Sequence, residues 1–437
     1  MSQAETPPEG LASDGRATRT VGWYAELDGK GRKAWWSCFG GWALDAMDVQ
    51  MYALAMPTIV AQWSLSKGQG GTLASVALLA SSVGGIIAGN LADRIGRVKV
   101  LQLAILWFSF FTFLSGLTQN YEQMLIARTL QGLGFGGEWA AGAVIIAEIV
   151  APKHRARAVS AVASGWSVGY GVAAILFTVL FQILPPETAW RTMFLLGILP
   201  AGLVIFVQKN VAEPEIYAKA LRDNQGARKP SIADIFRGGL LPRTLTAWGI
   251  CLGVLGGNYT VLTWLPTYLR EERGLSYSST GLYLLVNIIG SFLGYILGGV
   301  VYDKLGRRNA LKLFAVVGVA SVVAYLMLAT SPLAIMLMGF PLGFSQSAMN
   351  SGIGPILSEL FPTRLRATGQ GFCYNAGRGV GALFPALVGV FSVAAGGLTA
   401  AISLFAAFAY ALALIGAFAL PETQGRKLDA IDTAGNA

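Results

Sequence analysis

Charge is what this sequence has least of. Lys, Arg, Asp and Glu make up 13% of its 437 residues, where a soluble domain carries about 25%. A water-soluble globule of this size is thereby excluded. Histidine is nearly absent: His154 stands alone in a basic loop, where a solvated position outweighs a catalytic or metal-binding one. Cysteine is scarce too. Cys38, Cys251 and Cys373 are odd in number and dispersed through apolar segments without metal spacing, so no disulfide framework is indicated. Also missing are a helical His-Glu-x-x-His, a phosphate-cradling Gly-x-x-x-x-Gly-Lys-Ser/Thr and any Cys/His cluster. An enzyme is therefore disfavoured, no cofactor or metal is expected, and any energy source must be an ion gradient.

What is present is apolar. Hydrophobic residues reach 54%, the mean hydropathy is +0.56 and there are 55 glycines. Twelve apolar segments, each long enough to cross a bilayer, read at 34–62, 70–92, 98–118, 121–150, 156–184, 190–209, 243–269, 279–302, 309–329, 332–360, 366–392 and 398–420. The first is followed by so many others that it reads as a membrane helix, not a cleaved signal. The segments predict an all-α integral membrane protein with twelve transmembrane helices in two pseudo-symmetric six-helix bundles.

Residues 1–33 read as a tail with an interfacial helix over 23–33, where aromatics mix with Glu26, Asp28, Lys30, Arg32 and Lys33. Bundles follow at 34–209 and 243–420, joined by a charged linker over 210–242 and closed by a tail at 421–437. The net charge of +9 does not signal nucleic acid, because the cations sit in loops between apolar runs. With the N-terminus cytoplasmic, only Lys67, Arg128, Arg191, Arg270, Arg273 and Arg378 of the 32 Lys and Arg fall outside cytoplasmic positions. Both termini are expected in the cytoplasm, in a multi-pass protein of the cell membrane.

A short charged turn organises the whole. Gly89-Asn90-Leu91-Ala92-Asp93-Arg94-Ile95-Gly96-Arg97 returns 210 residues later as Gly299-Val300-Val301-Tyr302-Asp303-Lys304-Leu305-Gly306-Arg307. A turn repeated at half-length implies two homologous halves. A second echo supports it: Glu148 to Arg157 closes helix four, and Glu359-Leu360-Phe361-Pro362-Thr363-Arg364-Leu365-Arg366 closes helix ten. Each has an acid, a proline stop and then a cationic loop.

These features together resemble the major facilitator superfamily over residues 34–420. Arg128-x-x-Gln131-Gly132-x-Gly134 matches a further signature of it. Within it, Leu44-Asp45-Ala46-Met47-Asp48 is similar to the helix-one signature of proton-coupled carriers of sialic acid, lactate and aromatic acids, with Ala46 where glycine is usual. Gly136-Gly137-Glu138-Trp139 resembles the sialate/lactate group and the wider metabolite–proton symporters. The resemblance implies that Asp93 and Arg97, with Arg94 beside them, latch the halves at the cytoplasmic side. Asp303 and Arg307 are the second copy, and Glu148, Arg155, Glu359 and Arg364 or Arg366 complete the latches. It also places Glu138 in the coupling machinery; a structural hydrogen bond is the alternative.

Asp45 and Asp48 lie three apart and so share one side of helix one, in a stripe with Gly41 and Tyr52. A carboxylate at bilayer depth faces a cavity, meets a partner or holds a proton. Proton coupling by one of the two is the favoured reading, with an interhelical hydrogen bond as the alternative. Arg378, deep in helix eleven, carries a standing charge whose planar fork suits a carboxylate. With Asn375 it is the candidate anion site, the alternative being an ion pair with Asp45 or Asp48. Arg128 reads as structural or part of a relay. Tyr52, Trp139, Asn258, Tyr259, Trp264 and Asn287 are candidate cavity residues.

The expected function is proton-coupled uptake of a small organic acid anion, such as an aromatic acid, its breakdown product or a monocarboxylate. The expected partners are protons, that anion and the bilayer, with the chain acting as a monomer. A sugar carrier and an efflux antiporter are the rivals. Helix five lacks the Gly-Pro motif usual in exporters, and 243–269 lacks the paired glutamines of sugar porters.

Overall fold

The computed structural model describes residues 23–95, 97–134, 155–199, 201–202, 231–237, 239–362 and 365–423, apart from the side chains at 23, 89–90, 92–94, 97, 155–156 and 367. Every regular element described is helical. The first half comprises α1 (Trp23–Glu26), α2 (Gly29–Gln62), α3 (Lys67–Ile95), α4 (Arg97–Leu117), α5 (121–134), α6 (Arg155–Ala163), α7 (Gly165–Ile183) and α8 (Pro186–Leu196). The second comprises α9 (Leu241–Thr267), α10 (Tyr277–Leu305), α11 (Arg307–Val323), α12 (Pro332–Leu360), α13 (Arg366–Gly381), α14 (Phe384–Phe391) and α15 (Leu398–Ala419). Membrane span five is the pair α6–α7, broken at Ser164, and span eleven is α13–α14. Among the described residues, eight stretches are long and apolar enough to cross a membrane.

The ends of the helices follow from local chemistry. Asp28 accepts from the Gly31 backbone N–H at 2.6 Å, Ser276 from Ser279 at 3.2 Å and Ser331 from Ala334 at 3.2 Å, each satisfying an orphan donor of a first turn. The Asp28 cap changes the reading of the N-terminus. The expected interfacial helix is only the four residues Trp23–Glu26, and Lys30, Arg32 and Lys33 ride on the opening turns of α2 itself.

The charged repeat is also tighter than a loop. Helix α3 runs to Ile95 and α4 begins at Arg97, while α10 runs to Leu305 and α11 begins at Arg307. The single residue between them in the second copy, Gly306, has φ +84° and ψ 163°, which side chains rarely adopt. A Cβ there would also lie 2.5 Å from the Glu422 carboxylate. Gly306→Ala is expected to cost about 1–3 kcal/mol, read as a lower midpoint of thermal unfolding in detergent. An unchanged midpoint would show that the break carries no such constraint.

One end of the bundle, here the near end, gathers the start of α2 and the starts of α4 and α6, with Trp35 Nε1 donating to the Ala158 carbonyl at 3.4 Å. The ends of α10, α12 and α15 and the start of α11 meet there too, through Arg307, Glu359 and Glu422. The opposite, far end gathers the end of α2 and the starts of α3 and α10. Large apolar side chains such as Ile86, Leu103, Ile175, Leu282 and Phe408 point outward around the belt, as a hydrocarbon environment requires.

Candidate functional site

The first polar centre lies inside the N-terminal bundle, where α2, α3, α4 and α5 meet. Gly84 and Gly132 make the approach of α3 and α5 possible: a Cβ on either would lie 2.1 Å from a backbone oxygen of the other helix. That closeness brings the polar face of α5 against α2. Asp48 is 3% exposed. One carboxylate oxygen accepts from the Thr112 hydroxyl at 2.6 Å, and the other accepts from the Gln131 amide. The same amide nitrogen donates to Thr112 Oγ1 at 2.8 Å, and Gln131 Oε1 accepts from Arg128 Nη1 at 2.6 Å.

Gln131 therefore bridges a buried acid and a buried cation. The Arg128 guanidinium also stands 4.7 Å over the ring of Tyr52, whose hydroxyl donates to the Gly70 carbonyl at 2.7 Å. A small crevice, with about 10 Å³ of room for the centre of a water, is lined by Asp48, Val49, Ala77, Leu78, Arg128, Gln131 and Gly132. Asp45, one turn earlier on α2, is fully buried.

The second centre lies where the two bundles touch. Arg378, 1% exposed, reaches from α13 to α3 and donates through Nη2 to the Ser81 carbonyl at 3.0 Å. Its guanidinium carbon is 5.7 Å from the centre of the Tyr374 ring. The two helices stay close from there to the far end. A Cβ on Gly379 would be 3.2 Å from Ser82 Oγ, one on Gly71 would be 2.4 Å from the Pro385 carbonyl oxygen, and the Ala386 N–H donates to Ser75 Oγ at 3.0 Å. The far end is closed by Lys67 with Glu271 at 3.2 Å, and by Tyr277 against Phe177 and Phe181. The bundles also touch where Ser167 of α7 shares a hydrogen bond with Ser291 of α10 at 2.7 Å, and Ser291 with Ser347 of α12 at 2.6 Å. All three are buried.

The expected site residues are thus divided. Asp48, Tyr52 and Arg128 come together. Arg378 bonds the Ser81 carbonyl of the other bundle and also Tyr374 of its own helix. Asn375 donates to the Gly371 carbonyl of its own helix at 3.0 Å. Asn258 accepts from the Tyr410 hydroxyl at 3.0 Å, and Asn287 donates to the Gly339 carbonyl at 3.1 Å, so both tie helices of the second bundle together. Trp264 is buried and donates to the Pro385 carbonyl at 3.0 Å.

Of the expected latches, Arg307 bonds Asp303 at 2.9 Å and Glu359 at 3.0 Å, while Glu422 accepts from the backbone N–H groups of Arg307 and Arg308. These bonds run within the C-terminal bundle, locking α10, α11, α12 and the segment after α15. The side chains of Asp93, Arg94, Arg97, Glu138, Trp139, Glu148, Arg155 and Arg364 lie outside the described residues.

Two participants were given no role in the site by the sequence reading. Gln131 had a signal, since it sits three residues after Arg128 and so on the same helix face. Thr112 had none, being one hydroxyl in the aromatic run Phe108 to Phe113.

Two six-helix bundles that touch along a seam, with buried charge in one and at the seam itself, define a membrane transporter. Comparison with known proteins agrees. Residues 38–372 match the family model described as Major Facilitator Superfamily. The chain is 39% identical over 412 residues to the "Probable 4-methylmuconolactone transporter" of Cupriavidus pinatubonensis, covering 94% of this chain and 95% of that one. It is 30% identical over 351 residues to the "Cis,cis-muconate transport protein" of Acinetobacter baylyi, covering 79% and 84%. In fold it is similar to a bacterial homologue of the human lysosomal transporter Spinster, with a TM-score of 0.68, 18% identity and coverage of 90% and 98%. The chain belongs to the Major Facilitator Superfamily. It is a multi-pass membrane transporter and not an enzyme.

Proposed function

We propose that the chain takes up a small organic acid anion together with protons, the anion being an aromatic acid or one of its breakdown products. The observation that carries this reading is the presence of two buried charged groups: an acid-bearing one in the N-terminal bundle and an arginine at the seam. The names of the two relatives, a muconolactone transporter and a muconate transport protein, support the acid class. In this reading the near end faces the cytoplasm, with both termini, and the closed far end faces outward.

The chemistry follows from the geometry. Protonating Asp48 removes a negative charge and turns one acceptor oxygen into a donor. With the proton on the oxygen that faces Gln131, the amide that bridges it to Arg128 loses its acceptor and turns or shifts, which loosens the hold of α5 on α2. Anion on Arg378 and proton on Asp48 each neutralise a buried charge, and so lower the cost of closing the bundles over a dry cavity. The bundles then rock about the site to present it to the other side.

The test is uptake into proteoliposomes with and without an inward proton gradient, using muconate, 4-methylmuconolactone, benzoate, lactate and sialate beside a neutral hexose. Accumulation of an acid that collapses with a protonophore is the expected result. Hexose accumulation, or extrusion of acid by the same gradient, would replace this reading with a sugar carrier or an efflux antiporter.

A further inference from the structure

The Arg378 guanidinium and the Ser81 carbonyl meet at the inner end of the seam between α3 and α13–α14. Outward from them the seam is sealed by neutral contacts, backbone against glycine and one hydroxyl on a backbone N–H, as far as the more exposed Lys67–Glu271 pair at the far end. The bond to Ser81 is a buried point where a full charge of one bundle rests on the other. A helix carbonyl is a fixed, neutral acceptor. A carboxylate is a mobile, charged one that takes two parallel N–H bonds from the same planar fork, each roughly twice as strong. Aligning the fork on a carboxylate turns it away from a carbonyl that its own helix holds in place.

We propose that the substrate carboxylate and the Ser81 carbonyl compete for Arg378. Anion binding releases the inner end of the seam, and closing the far end re-forms the Arg378–Ser81 bond and expels the anion toward the near end. This rests on Arg378 being the anion site, and it adds to that reading a defined acceptor that displaces the substrate. Because the linkage is reciprocal, whatever tightens the seam weakens the acid and the reverse.

The seam offers its own reporter. A Cβ on Gly379 would lie 3.5 Å from Ser82 Cβ, within the range of about 3.5–4.5 Å that a disulfide spans. The Ser82→Cys, Gly379→Cys double variant of the full chain, in proteoliposomes, is oxidised with a mild catalyst in the presence of muconate, 4-methylmuconolactone or glucose. The three native cysteines are buried, and each single variant serves as the control. The transported acid is expected to slow cross-linking by about fivefold or more, the lower end of a typical coupling between sites, and glucose is expected to leave it unchanged. Adding Arg378→Ala is expected to slow cross-linking without substrate and to abolish the effect of acid.

Uptake of an acid by the unmodified chain, with cross-linking indifferent to that acid, overturns the competition while leaving Arg378 as a possible anion site. Acid that still slows cross-linking in the Arg378→Ala background also overturns it. Absence of uptake of both acids by the unmodified chain overturns the competition together with the reading beneath it.

Discussion

Replacing Arg378 with alanine is expected to reduce acid uptake at low substrate concentration by about 100-fold, and replacing it with lysine by about tenfold. Hydrogen bonds to a charged group contribute about 1.5–3 kcal/mol each, and a factor of 100 corresponds to about 2.7 kcal/mol. The lysine variant keeps the positive charge but loses the fork, so it separates charge from geometry. The guanidinium is 1% exposed and on the seam, so Arg378→Ala also leaves a void. The kinetic signature distinguishes the two effects. Loss of an anion contact raises KM for acids, whereas a purely structural lesion lowers Vmax and thermal stability while leaving KM unmoved. Retained uptake with an unaltered KM in Arg378→Lys and Arg378→Ala would remove this residue from substrate binding.

Much of the architecture was legible because a bilayer imposes it. Each apolar run must close its own backbone hydrogen bonds, so run length gives helix length, and described helices such as α12 fall on their expected bounds of 332–360. The half-length repeat showed two bundles. What the sequence could not show is which side chains cross between helices. The spacing of Asp45 and Asp48 put them on one side of α2, but only tertiary packing shows that Asp48 meets Thr112 and Gln131. A similar limit applies to the near-end charges. Asp303, Arg307 and Glu359 are recognisable as a cluster from the repeat, yet sequence does not say whether they bind across the halves or within one. The bonds described lie within one: Arg307 holds α10 to α12, and Glu422 caps the first turn of α11. Arg378 was visible from its depth in an apolar run. The carbonyl it rests on was not, because every residue carries one.

Asp48→Asn is expected to abolish proton-driven accumulation while sparing exchange of acid across the membrane. One proton moving down one pH unit supports about tenfold accumulation, equivalent to about 1.4 kcal/mol, so the variant should only equilibrate its substrate inside and out. Asparagine keeps the size of the side chain and an oxygen to accept from Thr112 or Gln131, so the packing of α2 against α4 and α5 survives. What it removes is the negative charge that Gln131 links to Arg128 and the site where a proton would bind. The buried guanidinium is then left to its cation–π contact with Tyr52 and to the Gln131 carbonyl oxygen, and some stability is lost with it. Gln131→Leu is the sterner companion, since it breaks the bridge while leaving both charges buried. It should impair folding as well as transport, because removing a shared partner from buried charges is more costly than replacing one of them by an isostere. Counterflow exchange at near-native rate in Asp48→Asn, with no accumulation under a pH gradient, assigns the proton to Asp48. Undiminished accumulation would shift proton coupling to another acid and leave the Asp48–Gln131–Arg128 chain as a brace between helices.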